Sequence, residues 1–289
     1  MPVAKLLKLI SFVYLICGPI IHTKNVKRNL LKKEQHLNKS EHISRVFAGR
    51  DLAVGEYPFV IVYIILQKET GINKRFCTGT MITATWSITA AHCNENFIDD
   101  SGNVLKKYVA YDNFTESPYI TGLYVPIMET FNHPAYKDLV HANGQVTFMI
   151  HDIALFRSEN VPVKAHAVLL AADYSTLIGL PVVYVGGGRK FLWVFNKLNP
   201  QPLQLGEATI INCDEIMKKV SKHTICLAPK CSKTYQTNLY GDSGGPLIYD
   251  GKVIGVASSA KLCKIAKMAY TPVSPYLEWI YRVVNGKKS

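Results

Sequence analysis

The segment Gly241-Asp242-Ser243-Gly244-Gly245-Pro246-Leu247 carries the residues best suited to covalent chemistry. A serine among glycines can sit on a sharp turn with its hydroxyl exposed. Gly241 lets the backbone approach a bound carbonyl, so that the N–H groups of Gly241 and Ser243 converge on an oxyanion. Such a serine needs a base, and the base needs an orienting group. Upstream, His92 stands in Ile88-Thr89-Ala90-Ala91-His92-Cys93, and Asp152 in His151-Asp152-Ile153-Ala154-Leu155.

The spacing Gly241-x-Ser243-x-Gly245 also fits the nucleophile elbow of α/β-hydrolases, where the histidine follows the serine. No histidine follows Ser243 here, the last of nine being His223, and this excludes an esterase of that class. The order His92, Asp152, Ser243 instead resembles the chymotrypsin/trypsin family of serine proteases, with three local matches in order over most of the chain. The resemblance implies an all-β fold of two packed, antiparallel six-stranded barrels with a C-terminal helix. It implies Ser243 as nucleophile, His92 as general base and then acid, and Asp152 as the group that orients His92. Gly241 and Ser243 supply the oxyanion hole, and Ser258 bonds the acid and lines the substrate groove. An alternative reading is a protease homologue of weak or no activity that acts by binding.

The resemblance also implies a zymogen. Family precursors are cut after a basic residue, here Arg45, and the new amino terminus of Val46 pairs with Asp242, because a buried carboxylate without a partner is costly. Position three of the new terminus is Ala48 rather than the family's usual glycine. The resemblance also implies that Thr237, six residues before Ser243, lies at the floor of the primary specificity pocket. A hydroxyl there does not compensate a buried guanidinium, so a preference for cleavage after Arg or Lys is not expected. Ala260 and Met268 take the places of two wall glycines, and methionine fills space that a large aromatic side chain would need.

Around these residues, short β-branched and aromatic runs alternate with turns. Examples are Met81–Ala84, Val182–Val185, Ala208–Ile211 and Lys252–Val256, with Asn143-Gly144 and Asp250-Gly251 as turns. Tyr57–Leu66 reads as a buried strand and Pro275–Val284 as an amphipathic terminal helix. The longer span between His92 and Asp152 is expected to form surface loops near Glu95–Asp112 and His133–Gln145.

Lys5 and Lys8 precede an apolar stretch of signal-peptide length, giving residues 1–21 as a signal peptide. Residues 22–45 are polar, basic and free of Cys, Trp, Phe and Tyr, as in a solvated propeptide. The protease domain is then 46–289, and secretion is expected. The net charge of +12 is uneven: residues 1–45 hold 9 Lys+Arg against 2 Asp+Glu, leaving 24 against 19 for the rest. No dense basic run interleaved with aromatics follows Arg45, so nucleic acid is not an expected partner, and no membrane partner is expected either.

Seven cysteines leave six after Cys17 is set aside in the signal peptide, and in a secreted chain these are expected as disulfides. The resemblance pairs Cys77 with Cys93 and Cys213 with Cys226. Cys263 normally pairs four residues before the nucleophile, where Leu239 stands, so its expected partner is Cys231. No metal or cofactor is expected. Asn113-Phe114-Thr115 is a glycosylation sequon. Expected partners are protein or peptide substrates, an activating protease of basic specificity and serpin-type inhibitors, and the protein is expected to be a monomer.

Overall fold

The computed structural model describes residues 49–67, 72–99, 101–140, 146–188, 201–230, 238, 240–260 and 268–286. Arg45, Val46, Thr237, Cys231 and Cys263 lie outside them, as do the signal-peptide and propeptide segments and the Asn143-Gly144 turn.

A first closed barrel is built from β2 (Val60–Gln67), β3 (Ile72–Met81), β4 (Trp86–Thr89), β5 (Lys107–Ala110), β6 (Tyr124–Asn132) and β9 (Ala154–Ser158), joined in the order β2-β3-β4-β9-β6-β5. Pairing of β2 with β5 closes it. The second barrel contains β10 (Pro181–Gly186), β11 (Gln204–Ile211), β12 (Ile225–Pro229), β13 (Pro246–Tyr249), β14 (Lys252–Ala260) and β15 (Met268–Pro272). The order β11-β10-β13-β14-β15-β12 is closed by pairing of β11 with β12, and the two-residue β1 (Arg50–Asp51) adds to β11 from outside. The architecture is thus the pair of six-stranded antiparallel barrels the resemblance implies.

The apolar run in β2 shows how residue period builds this arrangement. Ile61, Tyr63 and Ile65 point into the first barrel, against Phe76, Met81, Val109 and Phe156. Val60, Val62 and Ile64 alternate with them and join a cluster that includes Val185, Leu205, Ile248 and Val256 of the second barrel. A strand buried on both faces reads as continuously hydrophobic. β10 does the same from the other side. Val182 and Tyr184 enter the interior of the second barrel, while Val185 faces the shared seam.

Two short helices, α1 (Pro118–Thr121) and α2 (Glu215–Val220), lie between strands, and α3 (Leu277–Val284) follows a 3₁₀ turn at Ser274–Tyr276. Tyr276 and Ile280 seal the seam, giving the terminal helix its buried face.

Three local readings are corrected. Of Met81–Ala84, only Met81 is strand. Thr83 turns the chain, its Oγ1 accepting hydrogen bonds from the N–H groups of Thr85 and Trp86. The buried strand read at Tyr57–Leu66 begins at Val60, because Tyr57 adopts a positive φ of 48° and starts a turn. Both spans expected as surface loops hold strands: Glu95–Asp112 contains β5 of the first barrel, with Val109 fully buried, and His133–Gln145 contains β7 (Lys137–Val140), which pairs with β8 (Val146–Ile150) in a two-stranded sheet.

Candidate active site

β4 and β9 are neighbours, with Thr89 opposite Ala154. The chain leaves β4 into a 3₁₀ turn at Ala91–Asn94 that carries His92, and enters β9 directly after Asp152 and Ile153. Both side chains therefore emerge at one edge of the first barrel. A disulfide from Cys93 to Cys77 ties the turn to β3, with 6.1 Å between the Cα atoms. A second bridge, Cys213–Cys226, anchors the segment of α2 to β12.

Asp152 is fully buried and its carboxylate accepts three hydrogen bonds. One oxygen takes the backbone N–H of His92 at 3.0 Å, and the other faces His92 Nδ1 at 2.8 Å. The hydroxyl of Ser258, from β14 of the second barrel, donates to this second oxygen at 2.6 Å. An ionised carboxylate only accepts, so Nδ1 carries the proton and Nε2 keeps its lone pair. Burial works against protonation of His92. The charge and hydrogen bond of Asp152 outweigh it, with smaller contributions from Glu95 and Asp138, and raise the imidazole above its ordinary value of 6.5.

Ser243 lies in the turn that leads into β13. The turn is held at many points. Gly245 N–H donates to Asp242 O at 2.9 Å, Gly244 N–H to Ala257 O at 2.7 Å, and Thr78 N–H to Ser243 O at 2.8 Å. Gly241 has φ +96°, a region open to glycine, and among the described residues neither its N–H nor that of Ser243 donates a hydrogen bond. Asp242 is buried and accepts from Gly188 N–H at 2.8 Å. Ser243 Oγ makes no hydrogen bond to His92 among the described residues, and such bonds commonly tighten only when substrate binds.

Of the other expected site residues, Met268 opens β15 and is fully buried, packed with Leu227 and Tyr270 in the interior of the second barrel. Ala260 stands opposite it on β14. Asn113 begins an Asx turn, its side-chain oxygen accepting from Thr115 N–H and Oγ1 at 3.0 and 2.8 Å.

Three contributors had no signal in their residue types. The buried Thr78 hydroxyl donates to Gly241 O at 2.7 Å and accepts from Gly187 N–H at 2.9 Å. Buried Asn238, directly after Thr237, exchanges hydrogen bonds with the Tyr270 hydroxyl at 2.8 and 3.1 Å. His151, next to Asp152, has φ +53° and pairs its Nδ1 with Tyr276 OH at 2.8 Å, its ring 5.3 Å from that of His133.

Paired barrels with histidine and aspartate on one and a glycine-flanked serine on the other define a class, the chymotrypsin-like serine endopeptidases. The Trypsin family model matches residues 47–280, and the chain belongs to that family. It is 26% identical to a trypsin of Phaedon cochleariae over 81% of this chain and 86% of that protein. It is 27% identical to mouse granzyme E over 81% of this chain and 92% of the relative. Its 25% identity to mouse mannan-binding lectin serine protease 1 spans 85% of this chain and only 36% of that longer protein. The protein is accordingly a hydrolase of the serine endopeptidase class, with protein substrates. Among the described residues no helix is long and apolar enough to cross a membrane.

Proposed function

We propose that the chain is a secreted zymogen whose cut form hydrolyses peptide bonds through Ser243, His92 and Asp152. Ser243 Oγ attacks the substrate carbonyl while His92 Nε2 takes its proton, then returns it to the leaving amine. Asp152 fixes the imidazole tautomer and stabilises its charged form. Gly241 and Ser243 N–H hold the developing oxyanion. The observation that carries this reading is the three-bonded, fully buried Asp152 carboxylate, which binds His92 Nδ1 and leaves Nε2 as the base.

Under this reading, cleavage between Arg45 and Val46 by a protease of basic specificity creates an amino terminus that pairs with Asp242. The signal peptide is 1–21 and the propeptide 22–45. Thr237 at the pocket floor and Met268 at its wall, opposite Ala260, steer the enzyme from basic and large aromatic residues towards small or medium apolar ones. A Cys231–Cys263 bridge, glycosylation at Asn113, serpin-type inhibitors and a monomeric state complete the proposal.

The test is labelling with a fluorophosphonate before and after the cut at Arg45–Val46. Labelling that appears only after the cut, and is lost in Ser243→Ala, supports the proposal. Folded, cleanly cut protein that stays unlabelled overturns it, and persistent hydrolysis by Ser243→Ala rejects the nucleophile.

A further inference from the structure

The nucleophile turn contains four successive peptide units. Two of them, Tyr240–Gly241 and Asp242–Ser243, present the N–H groups assigned above to the oxyanion. The other two, Gly241–Asp242 and Ser243–Gly244, alternate with them. Both of these are held by one residue of the first barrel. Thr78 N–H takes the Ser243 carbonyl at 2.8 Å, and Thr78 Oγ1 donates to the Gly241 carbonyl at 2.7 Å. A peptide unit is planar and turns as a body, so fixing the Gly241–Asp242 plane limits rotation of both donor planes that flank it.

The hydroxyl does not act alone. It also accepts the Gly187 N–H at 2.9 Å, while the next residue, Gly188, donates to Asp242 at 2.8 Å. One hydroxyl thus joins β3, the Gly186–Gly188 segment and the nucleophile turn. It is fully buried, and the Thr78 carbonyl is fixed in turn by the Thr89 hydroxyl at 2.9 Å. A buried hydroxyl has one proton to give and lone pairs to receive, and this one uses both capacities. A hydrophobic replacement of the same shape leaves a buried N–H and a buried carbonyl without that partner.

We infer that Thr78, through its side-chain hydroxyl, is a positioning residue that sets the oxyanion-hole donors of Gly241 and Ser243. The inference rests on the assignment of those donors under the proposed function. Thr78 touches no reacting atom, so its removal loosens the hole rather than deleting a donor. Deleting a donor costs on the order of 10²–10³ in kcat, so an effect of about 10- to 100-fold is expected.

The experiment compares wild type, Thr78→Val and Thr78→Ser in the full chain, each prepared in the form that labels with fluorophosphonate. The Thr78 N–H bond to Ser243 is retained in all three. For Thr78→Val, labelling rate and kcat fall about 10- to 100-fold while KM moves less than about threefold. Affinity for a peptide aldehyde, whose adduct places an oxyanion in the hole, falls by the same factor as kcat/KM. Thr78→Ser keeps the hydroxyl and stays within about threefold of wild type in every readout. If the valine protein does not fold, Thr78→Ala takes its place, with the same split between kcat and KM expected. A valine or alanine protein with unchanged kcat overturns the inference. So does a serine protein that loses as much activity as the valine one, since this would track packing and not the hydroxyl. A wild type that never labels removes the oxyanion assignment and the inference together. A labelled wild type beside an unaltered valine protein removes the inference alone.

Discussion

Gly188 passes so close to the nucleophile turn that its lack of a side chain governs the turn's position. A Cβ at 188 would stand 2.6 Å from an Asp242 carboxylate oxygen and 2.8 Å from the Tyr240 carbonyl. Ordinary contact begins at 3.4 Å, so Gly188→Ala must find roughly 0.8 Å against the carboxylate and 0.6 Å against the backbone. Gly188 cannot simply retreat, because its N–H is bonded to the same carboxylate at 2.8 Å. Overpacking of this kind costs about 1–3 kcal/mol. In a domain of this size that lowers Tm by roughly 2–12 °C. Displacement approaching 1 Å at a catalytic turn lowers kcat/KM by about 100-fold, equivalent to ~2.7 kcal/mol of transition-state stabilisation. The assay is kcat/KM on a fluorogenic peptide, corrected for titrated active sites, beside a thermal melt. Gly122→Ala is the control. Its φ of +67° makes alanine unfavourable by about 1 kcal/mol, but it ends α1 in open space far along the chain from the turn. It should lose stability and keep its activity within about twofold. If Gly188→Ala loses no more activity than Gly122→Ala, the reasoning from close approach is wrong.

Asp152→Asn turns an acceptor into a group that also donates, favouring the wrong His92 tautomer, and kcat falls on the order of 10⁴-fold. Catalysis needs neutral His92, so wild-type kcat/KM falls as pH drops through a value above 6.5. In the asparagine variant burial remains while the carboxylate's opposing influence is gone, and the acid limb moves to lower pH; an unmoved limb in the pH profile would contradict this. Met268→Gly empties a fully buried position in β15. It should cost about 2–5 kcal/mol in a denaturant melt while a peptide library shifts towards larger apolar residues, and an unchanged library would reject the pocket alignment. His133, His151 and His223 are each held below the ordinary imidazole value, chiefly by burial, with His151 opposing both of its neighbours and Lys137 and Lys222 adding. The unfolded chain therefore takes up protons first, and their contribution to stability is lost as pH falls from about 6.5. His92, raised, works in the opposite sense. His151→Gln should flatten the fall in Tm between about pH 7 and 5, and a parallel fall in both proteins would refute it.

The serine, histidine and aspartate were legible because each lies in a short segment whose neighbours mark it. Short β-rich runs between turns supported an all-β chain, while the pair of six-stranded barrels followed from the family resemblance, and the continuous run of β2 is explained by burial on both faces. Thr78 was not legible, because its function arises from partners 163 and 109 residues away. Nothing in a threonine after a cysteine announces that contact. Met81–Ala84 misled for a local reason, since β-branched residues also suit a turn when a hydroxyl accepts the backbone N–H groups, as Thr83 does. The β7–β8 pair escaped because a loop and a short two-stranded sheet have similar composition.

Hydrogen bonds across the seam join Asp152 to Ser258 and Thr78 to the nucleophile turn, so neither barrel holds a finished site. The segment from Glu159 to Leu180, with a 3₁₀ turn at Tyr174–Leu177, crosses between the last strand of one barrel and the first of the other. A nick in that crossing would divide the chain into two pieces, one with base and acid, the other with nucleophile and oxyanion turn. Hydrolysis would then report their reassembly, and the molecule would serve as its own split-enzyme sensor.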